Sequence, residues 1–285
     1  MSGVKSVALA LAAAWLLAGC SALRLAYDNA GLYVHYRANS YLDLQGSGAE
    51  ALDERIASFF EWHRAKELPH YARIAEEAAQ RLEKGLSPAD ILWGYDSAVA
   101  RARESLRAAA ERIAPLLDQL TPAQLANVER RFADDNQKFA REFLRGSEDE
   151  RRLRRARRIE SRLEDWVGRL TKAQAERVRE FSRRAPLYDE LRDRDRRRLQ
   201  AELLALARAR QAVRSLPQRA ADWDGGRDPD YRQASEAARQ QFFALLLDLD
   251  RSLTVEQRAR AQANLRRYAE DFRALARRAE ASGGR

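Results

Sequence analysis

The chain has 285 residues, 52 Lys and Arg against 43 Asp and Glu, and a formal net charge of +9. Acidic residues are interspersed with the basic ones along most of its length, which argues against a nucleic-acid partner; the single cysteine, Cys20, excludes an intrachain disulfide, so stability has to come from packing. Ala, Arg, Leu and Glu dominate while Gly (13) and Pro (7) are sparse, a composition that favours helix nearly throughout and leaves no convincing strand.

At the N-terminus one basic residue, Lys5, precedes an apolar run from Val7 to Leu17. That run is too short for a spanning helix of ~20 residues and right for the apolar region of a secretory signal. Leu17-Ala18-Gly19-Cys20 resembles the lipobox of bacterial lipoproteins. The resemblance implies a signal peptide over 1–19, recognised at Leu17, Ala18 and Gly19, and a mature chain that begins with a diacylglyceryl thioether on Cys20. Each buried methylene contributes ~0.8 kcal/mol, so a multiply acylated cysteine holds a protein on a bilayer where one chain would not. In such lipoproteins an Asp after the cysteine retains the protein at the inner membrane; Ser21 stands there instead. The expected location is therefore the periplasmic face of the outer membrane, with the inner membrane as the alternative. No second stretch approaches ~20 uninterrupted apolar residues.

The segment 20–49 is expected as a lipidated tether and Tyr-rich first segment, carrying Tyr27, Tyr33, Tyr36 and Tyr41. Its aromatics suit either a membrane interface or the core side of a first helix. Residues 50–281 are expected to form a single helical domain, followed by a disordered tail over 282–285. The first helix of that domain runs from about Glu50 toward Leu68, and Pro69 either kinks it or starts another, because proline donates no N–H. Gly85 reads as a left-handed cap. Leu86-Ser87-Pro88-Ala89-Asp90, Leu120-Thr121-Pro122-Ala123-Gln124, Leu170-Thr171-Lys172-Ala173-Gln174 and Leu253-Thr254-Val255-Glu256-Gln257 share one grammar of helix starts. In each, the hydroxyl caps free backbone N–H groups, and in the last three the Gln reaches back to the cap. Between them apolar residues step by three and four: Leu125 to Phe143, ended by Gly146; Leu153 to Leu170; Val178 and Phe181, stopped near Pro186; Leu199 to Val213. Leu216–Asp230 is expected as a long loop, with Asp228-Pro229 opening a helix that carries Phe242 and Leu249, and a last helix starts at Thr254. The fold class is all-α, an elongated array or bundle of about eight to ten amphipathic helices.

Three windows contain groups that could carry chemistry. His63, Glu67 and His70 lie at i, i+4 and i+7, a spacing that offers two imidazoles and a carboxylate to zinc if the helix persists past Pro69. The plainer expectation is a His63 that is hydrogen-bonded and a Glu67 paired with a nearby Arg. Asp222-Trp223-Asp224-Gly225-Gly226-Arg227-Asp228-Pro229-Asp230 is rich in carboxylates but lacks the order of a calcium loop. The densest basic run holds Arg151, Arg152, Arg154, Arg155, Arg157 and Arg158 behind Glu148-Asp149-Glu150. It is expected as a solvated face with Glu148–Arg152 and Glu150–Arg154 pairs, able to touch an anionic surface. With no G-x-S-x-G elbow, no glycine-rich phosphate cradle and the sole thiol consumed by lipid, no enzyme and no cofactor are expected.

The lipobox, then Leu23-Arg24-Leu25-Ala26-Tyr27-Asp28-Asn29-Ala30, Tyr41-Leu42-Asp43-Leu44, Trp62-His63 with Glu67-Leu68-Pro69 and Tyr71, and Leu120-Thr121-Pro122 before Arg130-Arg131-Phe132, resemble an uncharacterised family of Gram-negative helical lipoproteins. That resemblance implies compartment and class and no activity. The Leu-Thr-x-x-Gln element at Leu120, Leu170 and Leu253 is similar to that of periplasmic stress chaperones named for the motif, although the chain after Cys20 is longer than theirs and holds no methionine. The expected function is a non-enzymatic, membrane-anchored lipoprotein that binds or scaffolds an envelope protein partner. The alternatives are a chaperone-like holder of unfolded envelope proteins and a metal-dependent enzyme centred on His63.

Overall fold

The computed structural model describes residues 22–283, with side chains through 278. The signal segment and Cys20 lie outside the described residues. The chain is all-helical, in the order α1 (Ala22–Asp28), α2 (Ala30–Leu42), α3 (Ser47–Trp62), α4 (Leu68–Glu83), α5 (Pro88–Leu117), α6 (Pro122–Phe139), α7 (Glu148–Val167), α8 (Lys172–Arg184), α9 (Asp189–Arg208), α10 (Ala212–Ala221), α11 (Pro229–Arg251) and α12 (Val255–Gly283). Two π turns, His63–Glu67 and Ala140–Leu144, follow α3 and α6. Among the described residues no helix is long and apolar enough to cross a membrane.

Several neighbours are continuous rods. Asn29 N–H bonds the Leu25 carbonyl and Tyr33 N–H bonds the Asn29 carbonyl, both at 3.2 Å, so the helical ladder passes through the α1–α2 junction. At Pro69 the chain widens: Leu68 N–H bonds the His63 carbonyl, an i→i−5 turn that carries α3 into α4. Proline cannot donate to the α-helical ladder, and the wide turn ahead of it makes room for the ring. Counting α1–α2 and α3–α4 as one rod each leaves ten rods among the described residues, the upper end of the expected range.

One core gathers Leu42, Leu44, Leu52, Leu116, Leu117, Val128 and Leu204 from α2, α3, α5, α6, α9 and the turns between them. A second, smaller core places Val178, Leu245 and Leu249 against Ile159, Leu163, Phe181 and Phe242. The longest seam runs antiparallel between α4 and α12: Arg258 donates to the Leu82 carbonyl at 2.7 Å, Arg273 pairs with Glu76 at 3.2 Å, and Tyr71 meets Phe272 with ring centroids 5.7 Å apart. Ala72, Ala75 and Ala79 on one side and Ala261 and Ala269 on the other are buried in it, and side chains this small let the two axes approach closely.

Three expectations are corrected. The stripe Leu199–Val213 is two helices, because Arg210 turns left-handed at φ 54°. The α10 start then receives its cap from a distant residue, Asp118, whose carboxylate accepts from Ala212 N–H at 2.7 Å and Val213 N–H at 3.0 Å. The long loop begins late: residues 216–221 are helical despite Pro217, since α10 runs to Ala221. Finally, α12 continues to Gly283, two residues into the expected tail, and residues 284–285 lie outside the described residues.

Candidate functional site

The first rod presents two different faces. Inward, the Tyr27 ring meets Phe60 edge-on at 5.6 Å and its hydroxyl lies 2.7 Å from His63 Nδ1, while Tyr41 packs on Phe132 and donates to Asp135. Outward, Leu25, Leu32, Tyr33 and Tyr36 are 63%, 75%, 66% and 69% exposed. At ~100° per residue positions 25, 29, 32, 33 and 36 share one side of the rod, and with Ala22 and Ala26 they make a stripe without a charge. The aromatics of this segment are thus divided between core and solvent, where the sequence left both open.

Beneath that rod sits the His63 window. His63 lies among Tyr27, Phe59, Trp62 and Tyr71, and burial lowers its pKa from 6.5 to about 4, so the imidazole is neutral. Burial likewise pushes the Tyr27 hydroxyl up, leaving it protonated beside Nδ1. Glu67, in the π turn, is buried and reaches Arg101 at 3.4 Å; burial raises its pKa, against the pull of that guanidinium. His63 hydrogen-bonded and Glu67 paired with an arginine are the arrangement the plainer reading expects. His70 points elsewhere, with Nδ1 2.6 Å from Arg73, and among the described residues no three His, Cys, Asp or Glu side chains converge to hold a metal ion.

The acidic loop is also divided. Asp224 takes Arg103 at 3.0 Å and the Trp223 indole N–H at 2.9 Å, Asp222 accepts from Gly225 N–H at 3.2 Å, and Asp228 caps α11 through Tyr231 N–H at 3.0 Å. The carboxylate these residues enclose is one the sequence did not single out, Asp195 on α9. Burial alone would raise its pKa, but the Asp228 N–H at 2.9 Å and the guanidiniums of Arg227 (2.6 Å) and Arg198 (2.8 Å) hold it below the ordinary range.

The basic run of α7 does not form one solvated face. Arg151 pairs with Glu190 at 3.0 Å, Arg152 with Glu148 at 3.1 Å, and Arg157 is exposed. Glu150 is spent on the capping box, accepting from Ser147 N–H at 2.9 Å, so Arg154 turns to the Arg145 carbonyl and the expected Glu150–Arg154 pair does not form. Arg155 turns inward, donating to the carbonyls of Ser182, Ala185 and Pro186 at 2.6–2.8 Å, and burial lowers its pKa. Arg158 lies over the Phe143 ring at 5.0 Å, at the edge of a cleft that Arg155 also lines.

The Leu-Thr-x-x-Gln elements close reciprocal capping boxes at Thr121, Thr171 and Thr254, as their sequence predicts. Two of them do more. Gln174 Nε2 donates to Gln257 Oε1 at 2.8 Å, and Gln257 Nε2 returns the bond to Gln174 Oε1 at 3.0 Å. Each amide also donates to the carbonyl just before the other element's leucine: Gln174 to Ser252 at 2.8 Å, Gln257 to Arg169 at 2.9 Å. The two helix starts are thereby locked face to face by buried, fully bonded amides. Repetition of the motif was the signal available in the sequence; its pairing was not.

Comparison with known proteins adds one match. A model described as a family of unknown function, DUF6279, covers residues 40–222. No curated protein matches the chain, and neither does any solved structure.

Proposed function

Since the chain belongs to the DUF6279 family of unknown function, we propose that it is a non-enzymatic, lipid-anchored module of a Gram-negative cell envelope, held on the periplasmic face of the outer membrane through acylated Cys20 and there to bind or scaffold an envelope protein. The observation that carries this reading is the uncharged stripe of Leu25, Leu32, Tyr33 and Tyr36, which remains exposed on the first rod and begins five residues after Cys20. Leaving four large apolar or aromatic side chains in water on one face is unfavourable unless something covers them. Tyrosine, with an apolar ring and a polar tip, suits the headgroup layer that an acylated Cys20 would bring alongside.

Growth of producing cells with a clickable palmitate analogue tests the anchor. Label on the wild-type chain, none on Cys20→Ala, and a mature N-terminus at Cys20 are expected. An unlabelled wild-type chain, or one recovered with Met1 intact, would overturn the reading.

A further inference from the structure

A second feature stands apart from the anchor. Between α7, α8, α9 and α11, closed at one end by the π turn Ala140–Leu144, lies a cleft of about 510 Å³. That volume falls in the range of small-molecule sites, ~300–1,000 Å³. Phe143, Phe181 and Phe242 give it apolar walls, and five arginines line it against two carboxylates, Glu142 and Asp189.

The arginines are not equivalent. Arg155 is committed to three carbonyls, and Arg239 donates to Glu236 and to the Tyr95 hydroxyl. Arg158, Arg162 and Arg192 have no ion-pair partner among the described residues. Just over half of the other arginines with described side chains do, from the i,i+3 and i,i+4 pairs of α8 to the pairs of α9. Arg158 and Arg192 also lie over the same ring, Phe143, at 5.0 and 5.5 Å. Two guanidiniums without a salt-bridge partner, held on one aromatic ring, raise a local positive potential that an anion would relieve. A planar guanidinium offers paired N–H donors that match a phosphate or carboxylate, and beside them the phenylalanine walls offer cover for an apolar body.

We propose that this cleft binds one amphiphilic anion, a phosphate or carboxylate group held by Arg158 and Arg192 with an apolar chain or ring laid against Phe143, Phe181 and Phe242. The ligand enters as a single molecule, not as a headgroup left in a bilayer. Arg162, exposed on the same side of α7, guides it to the mouth.

Calorimetric titration tests this with the full chain carrying Cys20→Ser, so that failure of the anchor and failure of the cleft are separate results. Octyl phosphate is expected to bind at one site per chain, at least tenfold tighter than inorganic phosphate or octanol. Arg158→Gln and Arg192→Gln should each weaken it fivefold or more, while Arg151→Gln, whose side chain pairs with Glu190 and does not line the cleft, leaves it unchanged. Far-UV circular dichroism checks that each variant folds, and Arg162→Gln serves if one does not, with a weakening of at least twofold expected. Cosedimentation with phosphatidylglycerol vesicles should be the same for wild type and Arg158→Gln. Octyl phosphate binding no tighter than either half-molecule, binding indifferent to the arginine substitutions in folded variants, or loss of vesicle binding alone in Arg158→Gln would each overturn the proposal.

Discussion

At the scale of single residues, buried polar groups are the sharpest determinants here, because each has to find all its partners away from water. The Gln174–Gln257 pair meets that demand by mutual exchange, so removing either side chain strands the other amide and a backbone carbonyl. Gln174→Ala or Gln257→Ala should cost ~2–3 kcal/mol in urea unfolding, and the double variant less than the sum by ~1 kcal/mol. Strict additivity would mean the amides do not interact. His63 gives a pH signature. Its pKa is lowered to about 4 by burial from the ordinary 6.5, so the unfolded chain takes up a proton before the folded one does. The contribution is intact above pH 6.5 and is lost progressively as pH falls from there toward 4. His63→Gln keeps an acceptor for the Tyr27 hydroxyl but does not titrate. Its unfolding midpoint should therefore fall less than that of wild type between pH 7 and pH 4.5; equal falls would place the imidazole in water.

At the scale of elements, helix starts were the most legible feature. Ser87, Thr121, Thr171 and Thr254 all cap as their spacing requires, and Ser147 with Glu150 forms a fifth box whose S-x-x-E signature is present in the sequence. Helix ends were less legible. The break between α9 and α10 depends on one left-handed residue and on Asp118, more than ninety positions away, which caps the α10 start. The α1–α2 rod makes its own prediction. Leu32 and Tyr36 touch solvent, so Leu32→Glu and Tyr36→Glu should leave thermal stability within ~0.5 kcal/mol of wild type. Each should still lower partition of the unacylated Cys20→Ala chain onto phospholipid vesicles by an order of magnitude, since a buried apolar side chain contributes ~1.5–3 kcal/mol. Unchanged partition would remove the membrane role of the stripe.

At the scale of the molecule, α12 organises the array. Its 29 residues span ~43 Å. Near its start it meets the Gln174–Gln257 joint and the end of α7, where Asn264 donates to the Trp166 carbonyl at 2.8 Å. Toward its end it meets the first rod, where Arg24 pairs with Asp271 at 2.6 Å and Arg278 with Asp28 at 2.7 Å. The stripe of the first rod and the joint of the two repeated motifs are thus far apart along one continuous helix. The second core, and the arginine cleft beside it, thus lie away from the first rod.

The all-helical class and most helix starts were settled by composition and local spacing. Those properties depend on residues three or four positions apart, whose geometry is fixed by the helix itself. Which arginines of α7 are spent and which stay unpaired, which tyrosines of the first rod face water, and that two of three Leu-Thr-x-x-Gln elements clasp each other were decided only by the tertiary fold. Each depends on partners 27 to 94 positions away, such as the Ser182 carbonyl for Arg155, Gln257 for Gln174 and Asp135 for Tyr41, and helix periodicity says which face a residue is on but not what the fold sets against it.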